Sequence, residues 1–255
     1  MARLRFGCWV CEVEDALLDA ARPRCGFEPF LTEGAPRLRL RRSPVLEAEA
    51  RPFQPEQPRL GSIQQEGGGL VTDAPLEVLP AELALRALFQ HAILQQGGLC
   101  LHAASLAFGE AAVVALGPSG AGKSTLSRLC VQSGRAALLS DEVVALLPDG
   151  RVHGSPFRSE AELPASRAEA ELRAFLLLEK GPFEALEPVR PAALVAPLLG
   201  QVFQGAAGSG LGAGMLPRLV GLMAHVPGFR LTFRKEPAVA GFLEEWVHGL
   251  PPSHG

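Results

Sequence analysis

The feature that most constrains the fold of this 255-residue chain is a glycine-rich segment, GPSGAGKST, at residues 117–125. The segment matches the pattern G-x-x-x-x-G-K-[ST] in full. An apolar run, AAVVAL, precedes it, and the sequence that follows predicts a helix from Lys123 to about Gln132, ended by Gly134. In such a unit the loop N–H groups and the N-terminus of the helix point at bound phosphate groups. The sequence therefore predicts an α/β fold with a phosphate site at the end of a buried strand.

Each part of this loop has a predicted use. The glycines allow a tight turn, Lys123 is expected to bridge the β- and γ-phosphates of a nucleoside triphosphate, and the Ser124 hydroxyl is an expected magnesium ligand. Thr125 is expected to cap the loop or to contact the α-phosphate. Only three of the 24 lysine and arginine residues are lysines, so the compact ammonium at this position is a specific chemical choice. The predicted nucleotide-binding residues of the loop are Gly117, Pro118, Ser119, Gly120, Ala121, Gly122, Lys123, Ser124 and Thr125.

Two acidic residues follow the next predicted buried strand, at residues 136–140. Asp141 and Glu142 would lie on the phosphate side if this strand is parallel and adjacent to the strand before the loop. A carboxylate in that place can bind magnesium or accept the proton of an attacking hydroxyl. The alternative is a pair of solvated acids at a strand end. The hydrophobic residues on both sides favour the functional interpretation.

Two further residues are candidates for the same site. His102 lies in the apolar run LCLHAASLAF, which predicts a single strand over residues 99–108; a lone histidine there is often a hydrogen-bonded core residue. Arg158 lies in VHGSPFRSE, and its guanidinium is suited to bind a transferred phosphate. A surface turn fixed by Gly154 and Pro156 explains that segment equally well.

The predicted domain boundary lies at residue 78. Residues 1–78 form a β-rich N-terminal region, with a half-buried strand at residues 37–42 and a hairpin around residues 67–69. Residues 79–255 begin with an apolar-faced helix, contain the strand–loop–helix unit, and end with an amphipathic helix at residues 238–248. The segment GAAGSGLGAG at residues 205–214 is predicted to be a loop, either a lid over the site or a connector.

Composition excludes several classes of protein. A net charge of −3 and a pI near 6.1 do not fit a nucleic-acid binder. No run reaches the length of a membrane span, and no signal region is present, so we expect a cytoplasmic protein without a membrane partner. Cys8 and Cys11 form a CxxC pair, which could be a redox pair or half of a zinc site; ordinary reduced thiols in a strand are the favoured interpretation.

Residues 101–146 resemble the catalytic core of the HPr kinase/phosphorylase family, and more closely its divergent HPr-kinase-related members. The shared order is a histidine before two strands, the P-loop, one helix, a short strand and two acids. The resemblance implies a mixed, strongly twisted sheet of the phosphoenolpyruvate-carboxykinase type, and it implies ATP, Mg²⁺ and phosphoryl transfer to a serine hydroxyl. By position, Asp141 matches the proposed general base and Glu142 the adjacent acid, which binds metal or a hydrogen-bonding partner. His102 matches the histidine that supports the phosphate and the catalytic acid.

Some positions depart from the family pattern. Thr125 stands where the bacterial regulator has Glu, and Glu142 stands where it has Asp. The segment associated with phosphorolysis is not found in the last third of the chain. We therefore expect an ATP-dependent kinase that acts on a serine of a peptide or small protein, with assembly into a homo-oligomer left open. The alternatives are a small-molecule kinase and a nucleotide-dependent binding or regulatory module without turnover.

Overall fold

The structure, a computed structural model, describes residues 1–47, 49–159, 163–203 and 215–251. The chain forms two compact units, Met1–Gly98 and a second unit made of Leu99–Phe203 with the described C-terminal residues 215–251. The first unit includes the helix Val78–Gln95, which packs against the N-terminal strands and helix. The first unit therefore ends after this helix, whereas the sequence-based boundary at residue 78 placed the helix with the glycine loop.

In its described residues, the first unit is a six-stranded mixed sheet with two α-helices. Its elements are β1 (Ala2–Phe6), β2 (Trp9–Val13), α1 (Asp15–Ala21), β3 (Leu38–Arg42), β4 (Arg51–Pro52), β5 (Ser62–Glu66), β6 (Gly69–Thr72) and α2 (Val78–Gln95). The strand order is β1-β2-β3-β6-β5-β4. Strand β3 is parallel to both neighbours, and the other pairs are antiparallel. The predicted strand at residues 37–42 and the hairpin at residues 67–69 are confirmed as β3 and the β5–β6 turn.

The second unit contains the glycine loop, which we define as residues 117–125. Its strands are β7 (Leu99–Leu101), β8 (Ala104–Phe108), β9 (Ala111–Leu116), β10 (Ala137–Ser140), β11 (Val144–Leu146), β12 (Arg151–His153), β13 (Glu169–Lys180), β14 (Ala185–Val189) and β15 (Gly228–Phe233). Its helices are α3 (Lys123–Gln132), α4 (Pro191–Leu199), α5 (Met215–His225) and α6 (Ala238–His248). The predicted bounds of α3 and α6 are confirmed. The predicted loop at residues 205–214 lies outside the described residues.

The nine strands of this unit form one mixed sheet, which confirms the α/β class. The order is β10-β8-β9-β13-β12-β11-β7, and β15 pairs with β13 and β14. The long strand β13 is parallel to β9 on one side; on the other side it pairs first with β12 and then, in parallel, with β15. Strand β8 is antiparallel to both β9 and β10, so β10 runs in the same direction as β9. Four strands, β9, β10, β13 and β15, therefore end at one edge of the sheet.

Helices cover both faces of this sheet. Val114 and Leu116 of β9 pack in a cluster with residues of α4 and α5, whereas Val113 and Ala115 pack with residues of α3 and α6. Successive side chains of a strand point to opposite faces, so a strand covered on both sides needs apolar residues throughout. This explains why AAVVAL is a continuous apolar run rather than an alternating one.

The expected single strand at residues 99–108 is wrong, because the chain breaks it at His102. Strand β7 pairs with β11, whereas β8 pairs with β9 and β10 in another part of the sheet. Between the two strands, the His102 N–H donates to the Gln201 carbonyl oxygen, at 2.7 Å. His102 therefore lies in a connection and not inside a strand. Within the described residues, no helix is long and apolar enough to cross a membrane.

Candidate functional site

The common edge of the four strands opens on a cavity of about 520 Å³ in the second unit. The glycine loop follows β9, the acidic pair follows β10, Lys180 ends β13, and Lys235 follows β15. His102 precedes β8, whose antiparallel direction places its first residue at this edge as well. The cavity is lined by His102, Ser119, Gly120, Gly122, Lys123, Ser124, Thr125, Asp141, Glu142, Ser159, Lys180 and Lys235.

The backbone of the glycine loop requires glycine at specific positions. Gly122 is the N-cap of α3 and has φ +113°, a conformation that side chains disfavour. A Cβ atom at Gly122 would lie 3.1 Å from the Phe233 ring, and one at Gly117 would lie 2.6 Å from the Ala121 Cβ. The N-cap residue Gly122 has no side chain that could cap the first turn of α3. The N–H groups of this turn and the positive end of the helix dipole are therefore available to an anion.

Lys123, the first residue of α3, is held inside the loop. Its side chain is only 8% exposed, and Nζ donates to the Gly117 carbonyl oxygen at 2.7 Å. Burial lowers the pKa of the Lys123 ammonium, because desolvation disfavours the charged form; the negative charge of Glu142 opposes this shift. A phosphate entering the loop can replace the carbonyl as the partner of this ammonium.

The acidic pair is positioned by a turn that begins at the end of β10. Ser140 Oγ accepts the N–H groups of Glu142 and Val143, at 3.2 and 3.0 Å, and so turns the chain towards the cavity. Asp141 is only 1% exposed. Strand β10 is parallel to β9, as the sequence-based argument required, but β8 lies between the two strands. Asp141 and Glu142 therefore reach the cavity from two strands away rather than from the adjacent strand.

Ser159, which the sequence reasoning missed, connects the acid to the glycine loop. Its N–H donates to Asp141 Oδ1 at 2.9 Å, and its hydroxyl donates to Asp141 Oδ2. The same Ser159 Oγ lies 3.1 Å from Ser124 Oγ. The Ser155 hydroxyl donates to Ser140 Oγ at 3.0 Å, which holds this segment beside β10. Two of the predicted magnesium ligands, Ser124 and Asp141, thus share one hydroxyl neighbour.

Arg158 bonds to the backbone of its own segment. Its guanidinium Nη1 donates to the carbonyl oxygen of the buried residue Leu163. A buried carbonyl needs a hydrogen-bond donor, and Arg158 supplies it. Arg158 is not among the described residues that line the cavity, and its contact with nucleotide phosphate stays a prediction. The neighbouring serine, and not the arginine, brings this segment to the site.

The side chains of His102 and Glu142 lie beside each other in the wall of the cavity. The distance between His102 Nδ1 and Glu142 Oε1 is 3.8 Å, which is too long for a hydrogen bond and becomes an ion pair when the imidazole is protonated. The two side chains are 39% and 21% exposed. The His102 ring also meets Phe203 edge to face, with ring centroids 6.2 Å apart. The predicted grouping of His102 with the two acids is therefore present in space.

All three lysines of the chain line this cavity. The rarity of lysine indicates a specific role for Lys123, and the same rarity applies to Lys180 and Lys235, for which the motif predicts no role. The local sequence around Lys180 and Lys235 does not predict that they lie together. Their common location follows from the parallel pairing of β13 with β9 and β15. Rarity alone was the signal that could have identified them.

The donor atoms of the cavity suit a metal that arrives with phosphate. Within the described part of the chain, no group of three or more His, Cys, Asp or Glu side chains could hold a metal by itself. The cavity instead offers the Ser124 hydroxyl at the start of α3 and the carboxylates of Asp141 and Glu142. Magnesium characteristically takes one or two carboxylates and completes its octahedron with phosphate oxygens and water. The residues present therefore fit Mg²⁺ bound together with a nucleotide.

The CxxC pair lies in the first unit, and within the described residues neither cysteine belongs to a group of three or more side chains that could hold a metal. Cys8 and Cys11 are both free thiols. Cys8 is exposed and donates to Gln96 Oε1 at 3.1 Å, whereas Cys11 is buried in β2. Burial raises the pKa of the Cys11 thiol to about 12, so it is protonated and unreactive near neutral pH.

The comparisons with known proteins do not assign the chain to a family. No protein-family model matches the sequence, and no curated protein matches it. Any functional assignment therefore depends on the residues of the cavity.

Proposed function

We propose that the chain is an ATP- and magnesium-dependent kinase that transfers the γ-phosphoryl group to a hydroxyl, that of a serine in a peptide or small protein. The observation that carries the proposal is the placement of Asp141. This buried carboxylate accepts a hydrogen bond from a serine hydroxyl, and it lines the same cavity as Lys123 and Ser124. A carboxylate beside a phosphate-binding loop and in contact with a hydroxyl has the geometry of a general base.

The proposal includes a finer fold, a P-loop domain of the HPr kinase and phosphoenolpyruvate carboxykinase type. Three observations support it: a buried strand enters the glycine loop, the loop leads directly into α3, and a mixed sheet brings the acids after β10 to the loop. The resemblance of residues 101–146 to the HPr-kinase-related proteins supports the same assignment. Fold alone does not determine an activity, so the chemistry of the cavity carries more weight.

The chemistry follows from where each group lies. The loop N–H groups and Lys123 bind the triphosphate and stabilise the charge that develops during transfer. Asp141 takes the proton of the acceptor hydroxyl while the acceptor oxygen bonds to the γ-phosphorus. The bond from that phosphorus to the β,γ-bridging oxygen breaks, and ADP leaves. When bound by Ser124 and Asp141, Mg²⁺ supplies charge neutralisation on the phosphate oxygens.

His102 and Glu142 have supporting roles in this proposal. Glu142 lines the cavity together with His102, 3.8 Å from its imidazole, and its charge acts on Lys123. A carboxylate in that position favours the charged form of Lys123, against the effect of burial, and can contact the metal or one of its water ligands. His102, when protonated, adds positive charge beside the acids. Both residues orient or tune the reacting groups and do not themselves exchange the phosphoryl group.

The test is phosphoryl transfer from labelled ATP, with Mg²⁺, to a mixture of proteins and peptides. We expect wild type to label an acceptor, and we expect Asp141→Asn to lower the rate by about 10²- to 10⁴-fold, the usual contribution of a general base. Nucleotide binding, measured separately by calorimetry, should persist in Asp141→Asn and disappear in Lys123→Met. Full transfer activity in Asp141→Asn would refute the assignment of the base.

One observation favours a second candidate acceptor, a small hydroxylated molecule. The cavity volume of about 520 Å³ lies within the range of pockets that bind small molecules, roughly 300–1,000 Å³. Transfer of label to a metabolite mixture and not to proteins would select this candidate. Tight binding of ATP without transfer to either mixture would indicate a nucleotide-dependent binding or regulatory module. The buried base argues against that module, because nucleotide binding alone does not require it.

A further inference from the structure

Two lysines form a positive wall on the side of the cavity opposite to the acids. We define the lysine wall as Lys180, at the end of β13, and Lys235, just after β15. In the strand order, β13 and β15 lie one and two places from β9, and β10 lies two places away on the other side. With strands about 4.8 Å apart, Asp141 leaves the sheet roughly 14 Å from the strand of Lys180 and roughly 19 Å from that of Lys235. The glycine loop lies between the acids and the wall.

Both side chains are exposed to the cavity and available to a ligand. Within the described ranges, neither Lys180 nor Lys235 forms an ion pair, although acids lie close to both in the sequence. Those acids form ion pairs with arginines instead. The nitrogen–oxygen distances are 3.3 Å for Glu179 with Arg230, 3.1 Å for Glu184 with Arg234 and 3.5 Å for Glu236 with Arg234. The arrangement therefore leaves the two ammonium groups as uncompensated positive charge facing the cavity.

The choice of lysine in both places is informative, because arginine is the usual cation of this chain. Arginine occupies the surface ion pairs, and the three lysines are confined to one cavity. Lysine is a compact point charge on a flexible stem, and it binds phosphate in that manner, whereas arginine provides a fixed planar fork. The lysine wall is therefore suited to phosphate groups whose oxygens are not held in one plane.

The position of Asp141, the proposed base, decides which phosphates of the nucleotide the lysine wall can bind. The acceptor hydroxyl must reach Asp141, so the γ-phosphate has to lie on the β10 side of the glycine loop. The rest of the nucleotide then extends towards β13 and β15. Contact between Phe233 and Gly122, where a Cβ atom would lie 3.1 Å from the ring, places the end of β15 against the start of α3. Lys235 follows Phe233 by two residues and thus lies near the expected α-phosphate position.

We propose that Lys180 and Lys235 bind the α- and β-phosphates of the nucleotide, the two phosphates that are not transferred. This inference rests on the proposed function, because it takes Asp141 as the base that fixes the γ-phosphate. The lysine wall binds ATP and ADP alike, so it lowers the KM for ATP and slows the release of ADP without accelerating the chemical step. The lysine wall raises the affinity for the nucleotide and makes no contact with the acceptor.

The test is calorimetric binding of ADP, which carries only the phosphates in question. We compare the wild type with Lys180→Met, Lys235→Met and the double variant; the control is Arg167→Met, an exposed cation outside the cavity lining and without an ion pair in the described residues. Each lysine variant should weaken ADP binding about tenfold, the usual effect of losing one hydrogen bond to a charged group. In phosphoryl transfer, the KM for ATP should rise, with kcat unchanged or higher. The control should match wild type in both measurements.

A second measurement needs no variant. Acetylation of the folded protein, followed by mass spectrometry, should modify Lys180 and Lys235, and ADP should protect both residues at concentrations that saturate the calorimetric signal. If wild type binds ADP but the double variant binds it as tightly as Arg167→Met, the inference is overturned and the proposed function stands. A rise in the KM for the acceptor alone would also overturn it. If wild type binds neither ADP nor ATP, both the inference and the proposed function fail.

Discussion

At the scale of single residues, the site depends on how one carboxylate is held. A buried carboxylate is costly unless hydrogen-bond donors compensate for the water it has lost. Ser159 gives Asp141 two of them, an N–H to one oxygen and a hydroxyl to the other. The two bonds fix the rotation of the carboxylate. The acceptor hydroxyl of a substrate would have to take the place of the Ser159 hydroxyl or share Oδ2 with it.

The role of Ser159 can be tested by removing only its hydroxyl. We expect Ser159→Ala to lower kcat by about 10- to 100-fold, because the carboxylate loses its fixed orientation towards the reacting atoms. The affinity for ADP should stay within about twofold, since the backbone N–H bond and the glycine loop are unchanged. Ser159→Thr keeps the hydroxyl and should retain most of the activity. Equal losses in the Ala and Thr variants, or a parallel loss of ADP binding, would show that Ser159 is only structural.

The residues of the site differ in how far the sequence could predict them. Lys123 and Ser124 belong to a local motif, whose spacing defines their positions before any tertiary contact forms. Asp141 follows a buried strand, so its location depends on one assumption about strand direction. Ser159 comes from a segment that is held beside β10 by Ser155 and Ser140, and no local pattern indicates that contact. The charge of Arg158 is visible in the sequence, whereas the placement of Ser159 is not.

At the scale of elements, the start of α3 is the most constrained part of the site. Gly122 combines a left-handed backbone with a close approach to Phe233, a residue of β15. The loop conformation is therefore coupled to the packing of a strand two positions away in the sheet. A change at Gly122 should disturb both the helix N-terminus and the strand end that carries Lys235.

Gly122→Ala tests this coupling, with Gly134→Ala as its matched control. Gly134 follows the C-cap residue of α3 and has φ +72°, but a Cβ atom there would meet nothing within 4 Å. We expect Gly134→Ala to lower the free energy of unfolding by about 1 kcal/mol, from backbone strain alone. Gly122→Ala should cost about 1–3 kcal/mol more, because the Phe233 ring must also move. Urea unfolding measures both values, and equal losses would contradict the contact with Phe233.

Elements whose signals are local were predicted well, and those defined by distant pairing were not. The bounds of α3 and α6 follow from glycine positions and amphipathic spacing within a dozen residues. The break at His102 could not be foreseen, because LCLHAASLAF looks like one strand until β7 and β8 are seen to pair with different partners. The order of the sheet, with β8 between β9 and β10, also depends on pairing between distant segments and could not be foreseen for the same reason. Helix α2 was assigned to the wrong side of the domain boundary because its packing partners lie far away in sequence.

At the scale of the whole molecule, both units depend on well-packed cores that contain free thiols. Cys11 is buried in the first unit, and Cys100 and Cys130 are buried in the second. Burial raises the pKa of Cys11 and Cys130 to about 12, and it raises the pKa of Cys100 further. The cause is the same in each case, because an apolar environment disfavours the thiolate. The thiols thus behave as small apolar side chains at neutral pH.

These raised pKa values predict that the molecule loses stability in alkaline solution. In the unfolded chain a thiol ionises near its ordinary pKa of about 8.5–9, while the folded state keeps the proton up to about pH 12. Between these values the unfolded state binds fewer protons, so the free energy of unfolding falls as pH rises. Each buried thiol contributes a slope of up to about 1.4 kcal/mol per pH unit in that window, and none below it.

The measurement is urea unfolding under reducing conditions at intervals from pH 7 to pH 10.5. Cys130→Ala should be less stable than wild type at every pH, because it leaves a small cavity, but its alkaline slope should be shallower. Cys8→Ala removes an exposed thiol and leaves every buried thiol in place, so it should keep the full slope. All lysines and arginines are common to these proteins and cancel in the comparison. Equal alkaline slopes for the two variants would show that Cys130 is not held as a buried, protonated thiol in the folded protein.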